Sequence, residues 1–264
     1  MTRDQLTIYL EREIAVFPGQ TSLLVSDAFS PDPFFSHQAE ARFPSASLIK
    51  TPILLTALEQ VRQGILSLRD RLEVPQRAIL PDSQVFEEGP GFFTLEELLY
   101  WMIADSDNTA ANVILDTLGL DAVNEYCAIL LGLSNTLCQR KMLDFDAARA
   151  GLENYTSVAD QRRMFCLLQG GQILSHGLRE IALSILRRQR HSDCMLRYIA
   201  DDVALAHKTG SLDGVAHDCG LFLLTKPLFV GICTWDGPSP DGDPVQRRYI
   251  GRLAKAIYDT YKEG

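Results

Sequence analysis

The sequence predicts an α/β fold of the α+β kind: one antiparallel sheet flanked by terminal helices, with an all-helical domain inserted into it. Strand-like runs lie toward both ends of the chain, and the stretch between them carries apolar segments at helical spacing. With 264 residues, 46% of them hydrophobic, the chain can bury a large core as one or two domains. For both ends to supply strands to one sheet, the termini must meet. That divides the chain into a sheet domain of residues 1–42 plus 198–264 and an all-α domain of residues 43–197. A ligand site is expected in the cleft between them.

Taken in order, a helix over 2–15 precedes strands near 21–28 and 33–38. The segment from Pro44 to Pro52 runs into Ile53-Leu54-Leu55-Thr56-Ala57-Leu58, which reads as a buried helix with Ser47 in its first turn. Pro52 fits that first turn poorly if the helix begins at Ser45, and marks either a kink or a later start. The next helix spans 94–103, where Thr94 and Glu97 have capping-box spacing. The polar run Ser106-Asp107-Asn108 then leads into the apolar helix that begins at Thr109. Strands follow near 203–209, 215–224 and 228–235. The Pro- and Gly-rich cluster 237–244 is a loop, and a closing helix over 245–261 is expected to pack on the sheet.

Three residue groups on this framework carry chemistry. A serine hydroxyl is a poor nucleophile at neutral pH and needs a base within reach; a lysine serves when burial lowers its pKa. Ser47 and Lys50 sit three apart, so on a helix they share a face. The start of that helix also offers unpaired N–H groups suited to an oxyanion. Ser106-Asp107-Asn108, taken alone, is most simply an N-cap cluster. Lys208-Thr209-Gly210, taken alone, is an ordinary strand end, although Gly210 permits close approach of backbone to ligand. The ordered conjunction of all three is improbable by accident, on the order of one in a thousand.

With those motifs the chain resembles the penicillin-recognising serine enzymes, and most closely the class A β-lactamase family. The flanking residues agree too, in Phe43-Pro44-Ser45-Ala46-Ser47 and in Thr109-Ala110-Ala111-Asn112 after the second motif. The resemblance runs from about Thr21 to the C-terminal helix. It implies Ser47 as the acylated nucleophile and Lys50 as its base. Ser106 would relay a proton to the leaving nitrogen, and Asn108 would bind a substrate amide. Lys208 and Thr209 would hold a substrate carboxylate beside Gly210, and the N–H groups of Ser47 and Ser211 would form the oxyanion hole.

Two departures from the family pattern bear on turnover. Counting on from the second motif without gaps, Met142 takes the place of the deacylating glutamate and Asp146 that of its partner asparagine. A thioether cannot accept a proton from water. Asp144, Asp146 or Glu153 must then activate water, or the acyl-enzyme turns over slowly. Asp146 is the first candidate by position, and its plainer reading is a loop carboxylate that caps backbone or pairs with Arg140 or Arg149. The family's loop ion pair looks broken, with Tyr155 opposite Arg140. On the strand after the third motif, only His217 stands where the family brings an arginine toward the substrate carboxylate. A structural histidine bonded to Asp218 or to backbone is an equally good reading.

Composition excludes several functions. A formal charge of −9 gives a nucleic-acid role little support. There is no Gly-rich phosphate loop, no repeat and no apolar run long enough to span a membrane. The six cysteines lack metal-ligand spacing and read as small buried hydrophobes. No cofactor is needed by the chemistry, and a monomer acting on a small-molecule β-lactam, or another amide or ester, is expected. The N-terminal residues lack an apolar signal core, which points to the cytoplasm, or to export with the leader removed. Three readings compete: a β-lactam-opening serine hydrolase, a serine esterase, acyltransferase or peptidase on another substrate, and a non-catalytic penicillin-binding-type protein on the same fold.

Overall fold

The structure, a computed structural model, describes residues 1–200, 202–238, 240 and 244–263. Part of the loop expected over 237–244 therefore lies outside the described residues. The chain opens with α1 (Arg3–Val16), started by a Thr2/Gln5 capping box, and β1 (Gln20–Asp27) and β2 (Phe35–His37) follow. Short β3 (Phe43–Pro44) leads through a 3-10 turn (Ala46–Ile49) into α2 (Lys50–Arg62). Next come β4 (Arg71–Val74), β5 (Gly91–Thr94), α3 (Leu95–Ala104), α4 (Asn108–Leu118), α5 (Leu120–Glu125) and α6 (Phe145–Arg149). The rest is β6 (Tyr155–Thr156), α7 (Val158–Gln169), α8 (His176–Leu186), β7 (Leu205–Leu212), β8 (Val215–Phe222), β9 (Leu228–Trp235) and α9 (Pro244–Tyr261).

Both ends of the chain build one antiparallel sheet in the order β2-β1-β9-β8-β7, so β1 pairs along its length with β9, some 200 positions away in sequence. Side chains alternate across a strand, and the alternation sorts the strand residues into two cores. Leu23, Val25, Phe222, Val230 and Ile232 face α1 and α9, whereas Leu24, Leu221, Phe229 and Cys233 face the helical segment. On α9 the apolar residues Ile250, Leu253, Ala254 and Ile257 recur every three or four positions and are fully buried against the sheet. Each large aliphatic side chain among them contributes about 1.5–3 kcal/mol of burial.

The helical segment gathers round α2, whose residues Lys50 to Glu59 are all buried. The α-helix begins at Lys50, later than the sequence suggests, so Ser47 lies on the preceding 3-10 turn. Pro52 is then the third helical residue, where its missing N–H has no intrahelical acceptor to lose. All six cysteines are free, and every one except the half-buried Cys166 is buried. Among the described residues no helix is long and apolar enough to cross a membrane.

Candidate active site

A cavity of about 470 Å³ opens where β7 meets the helical segment, and Ser47, Ser106, Asn108, Thr209, Gly210 and Ser211 line it. Ser47 is brought there by an unusual backbone. Pairing of β3 with β6 and the Ser45 N–H bond to the Asn154 carbonyl (2.8 Å) fix the approach. Ala46 then takes a left-handed conformation, φ 46°, which costs an L-residue about 1–2 kcal/mol. Gly210 on β7 packs against this turn. A Cβ added there would sit 3.1 Å from the Ser47 nitrogen and 3.2 Å from the Ser45 carbonyl oxygen. Both are backbone atoms that cannot yield cheaply, so Gly210→Ala should push β7 away from Ser47. Its acylation rate should fall by at least about tenfold, because a misplacement of an ångström or less costs that much. Stopped-flow acylation beside a far-ultraviolet spectrum would check it, and an unchanged rate would show that β7 does not need this contact.

Lys50 is fully buried. Its Nζ donates to the Ser106 carbonyl (2.5 Å), the Asn108 Oδ1 (2.7 Å) and the Ser106 Oγ (3.3 Å). Ser47 receives none of these bonds, so the amine is anchored on the 106–108 turn rather than on Ser47. Burial pulls the Lys50 ammonium down to about 7, against the opposing pull of Asp107 and Asp82.

The 106–108 turn divides its labour. Asp107 caps α4 by accepting from the Ala110 N–H (2.7 Å) and is also bonded by Ser83, so the capping reading of this run holds for one residue of the three. Burial pushes the Asp107 carboxyl up from its ordinary value, with Asp82 adding to the rise. Ser106 has φ 56°, a second left-handed non-glycine residue, and this turns its hydroxyl into the cleft. There the Lys208 Nζ donates to Ser106 Oγ at 2.9 Å while Lys50 approaches from the other side. Lys208, also fully buried, has its pKa lowered well below the usual lysine value by burial and by the charge of Lys50. Its strand neighbour His207 points to the opposite face and donates from Nδ1 to Asp218 (2.7 Å), itself held by the Met195 N–H (3.0 Å).

The loop 139–154 closes the far side of the cavity, and two asparagines hold it. Asn112 grips the Met142 backbone twice, through Met142 N–H to Oδ1 (2.7 Å) and Nδ2 to the Met142 carbonyl (3.1 Å). Asn154 accepts from the N–H groups of Gln139 and Arg140. Met142, Leu143 and Phe145 line the cavity.

Several sequence expectations are corrected here. The loop ion pair is intact: Arg140 bonds Glu153 (2.8 Å), two residues before the aligned position, while Tyr155 lies under Arg42. Asp146 does not reach the cavity. Its side chain is 90% exposed and paired with Arg149, because the turn of α6 aims it outward. Asp144 is spent capping α6 through the Ala147 N–H. His217 does not face substrate either. It is fully buried, donates from Nε2 to the Pro44 carbonyl (2.9 Å) and packs on Phe43, and burial drops its pKa to about 4.

Arg247 from α9 lines the cavity next to Ser211, bonding Asp193 (2.6 Å) and reaching the Ser211 hydroxyl (3.4 Å). Sequence reasoning missed it, as it missed Asp82, which accepts from the Asn108 Nδ2 (2.7 Å). Neither lies in a recognisable pattern, and both arrive through long-range packing. Among the described residues no group of three or more His, Cys, Asp or Glu side chains could hold a metal.

Comparison with known proteins agrees with this geometry. The model of the beta-lactamase enzyme family matches residues 5–261. The chain is 23% identical to beta-lactamase VEB-1 of Pseudomonas aeruginosa over 275 aligned positions, covering 98% of this chain and 91% of that protein. The beta-lactamase of Sphaerobacter thermophilus superposes with a TM-score of 0.86 at 26% identity, covering 98% and 97% of the two chains. A point variant of PBP-A, solved as its acyl-enzyme complex with penicillin G, shares the fold with a TM-score of 0.84 at 24% identity, covering 99% and 96%.

Proposed function

The chain belongs to the beta-lactamase enzyme family and is a class A β-lactamase-like hydrolase, and from that premise we propose that it opens β-lactam amides by forming an acyl-enzyme at Ser47 that hydrolyses slowly. The observation that carries this reading is the Ser106 hydroxyl held between two buried lysines, Lys50 and Lys208, in the cavity that Ser47 lines. Neutral Lys50 takes the Ser47 proton as the oxygen attacks the carbonyl carbon. The N–H groups of Ser47 and Ser211 receive the oxyanion. Ser106 then passes a proton to the leaving nitrogen and takes the one Lys50 had accepted, whose Nζ lies 3.3 Å from its hydroxyl, so that the C–N bond breaks, Lys50 is neutral again and an ester to Ser47 remains. The substrate carboxylate lies against Lys208, Thr209 and the Arg247 guanidinium, which stands in for the arginine absent from β8. A carboxylate there stabilises the charged form of Lys208, which burial alone disfavours.

Hydrolysis of that ester needs a base for water. Among the loop residues that line the cavity, Met142 offers only a thioether, and the loop carboxylate Glu153 is committed to Arg140. The same observation favours a second reading, in which the physiological acyl donor is a different amide or ester and a nucleophile other than water releases the acyl group.

Intact-protein mass spectrometry after mixing with benzylpenicillin tests the proposal. An adduct of one penicilloyl group should form on the wild-type chain and persist, and Ser47→Ala should carry none. An adduct on Ser47→Ala, or none on the wild type, would overturn it.

A further inference from the structure

We propose that Asp82 reads an ammonium group on the acyl side of the substrate, so that the site selects zwitterionic amides, with the carboxylate at one end of the cavity and the amine at the other. This rests on the acyl-enzyme reading above and adds a substrate class to it. Five carboxylates line the cavity. Asp105 is paired with Arg190 (2.7 Å), Glu153 with Arg140 (2.8 Å) and Asp193 with Arg247 (2.6 Å), and Asp107 is the cap of α4. Asp82 is the fifth. Among the described residues it is in no ion pair and takes a single hydrogen bond, from the Asn108 Nδ2.

Its position relative to the reacting amide follows from Asn108. That side-chain amide has two N–H groups. One is given to Asp82 (2.7 Å), and the other is left for the carbonyl of the substrate's acyl side chain. A substituent on the carbon next to that carbonyl then lies beside the second Asp82 oxygen. A carboxylate outside any ion pair at a cleft mouth, where three of the other four acids are paired with arginines, attracts cations.

Recognition is also coupled to the base. The charge of Asp82 favours the protonated form of Lys50, reached through Asn108, whose Oδ1 accepts from the Lys50 Nζ. An ammonium set against Asp82 cancels that influence and leaves more of Lys50 as the free amine. The preference should therefore appear in the acylation rate as well as in binding.

Ampicillin and benzylpenicillin differ only by an amino group on that carbon, which makes them the probes. Asp82 is exposed, so second-order acylation rates, read as adduct formation at Ser47 by mass spectrometry, should favour ampicillin by about two- to fivefold, the range of an exposed charge pair. In Asp82→Asn, which still accepts from Asn108, the ratio should fall to about one, and in Asp82→Lys below one. An ampicillin preference that survives both substitutions, or none in the wild type, would overturn the inference while leaving acylation at Ser47 intact. Failure of both drugs to label Ser47 would instead overturn the acyl-enzyme reading, and this inference with it.

Discussion

Replacing Met142 with glutamate should shorten the lifetime of a penicilloyl adduct on Ser47 by about a hundredfold or more, the scale on which a positioned general base acts. Asn112 holds the Met142 backbone through two hydrogen bonds, 2.7 and 3.1 Å, and Met142 lines the same cavity as Ser47. A carboxylate of similar length placed there gains what the thioether lacks, a lone pair basic enough to take a proton from water. The substitution has a cost, because Met142 is 7% exposed and lies within the helical core. Burial will push the new carboxyl up, and the folded state should lose about 1–3 kcal/mol, visible as a lower thermal midpoint. Met142→Gln separates shape from basicity: it should leave the adduct as long-lived as in the wild type. If the glutamate variant also keeps its adduct, the position does not face the attacking water.

The second large effect is expected at Lys50. Its replacement by alanine should slow acylation of Ser47 by about 10²–10⁴-fold, again the range of lost general-base catalysis. The wild-type rate should rise with pH through about 7, the value to which burial lowers this amine, and level off above it, since only the neutral amine can accept the Ser47 proton. That rising limb should vanish in Lys50→Ala. Stability should carry the same signature. The folded pKa lies near 7 and the ordinary value is 10.5, so between those limits the unfolded chain binds more protons. The penalty of burying Lys50 is then fully present below about 7 and fades as pH rises toward 10.5, so folding stability increases across that window. Denaturation at pH 7 and pH 10 with and without Lys50 would measure it, and a rate limb unaffected by the substitution would assign the base elsewhere.

Much of the site was legible because its parts are local. Ser47 and Lys50 are three apart, Ser106 and Asn108 share one turn, and Lys208, Thr209 and Gly210 are consecutive. Each pattern therefore survives in the linear sequence. The same holds for the Thr94/Glu97 box, which the structure forms with the Thr94 N–H donating to Glu97 at 2.7 Å and the Glu97 N–H donating to Thr94 Oγ1. The mistakes fell where a side chain's neighbours come from elsewhere in the chain. A gap-free count set Tyr155 opposite Arg140, yet a two-residue shift in the loop gives that place to Glu153. Asp146 had the right position in the count but the wrong side of α6. His217 occupied the strand position of a substrate-binding arginine but was drawn inward by the Pro44 carbonyl and the Phe43 ring.

The sequence missed the short pairings of β3 with β6 and of β4 with β5 inside the segment it marked as all-α, but by itself it determined the main strands and helices and the local motifs that carry the candidate site. Those depend on periods of two and 3.6 and on spacings of a few residues, which chain geometry enforces locally. Only the tertiary structure decided which charges meet in the cavity. Arg247 reaches Ser211 because α9 packs back across the sheet, and Asp82 reaches Asn108 across a separate loop. Such pairings are settled by burial of the surrounding apolar surface, which is non-directional and leaves no pattern in the sequence of the polar residues it brings together.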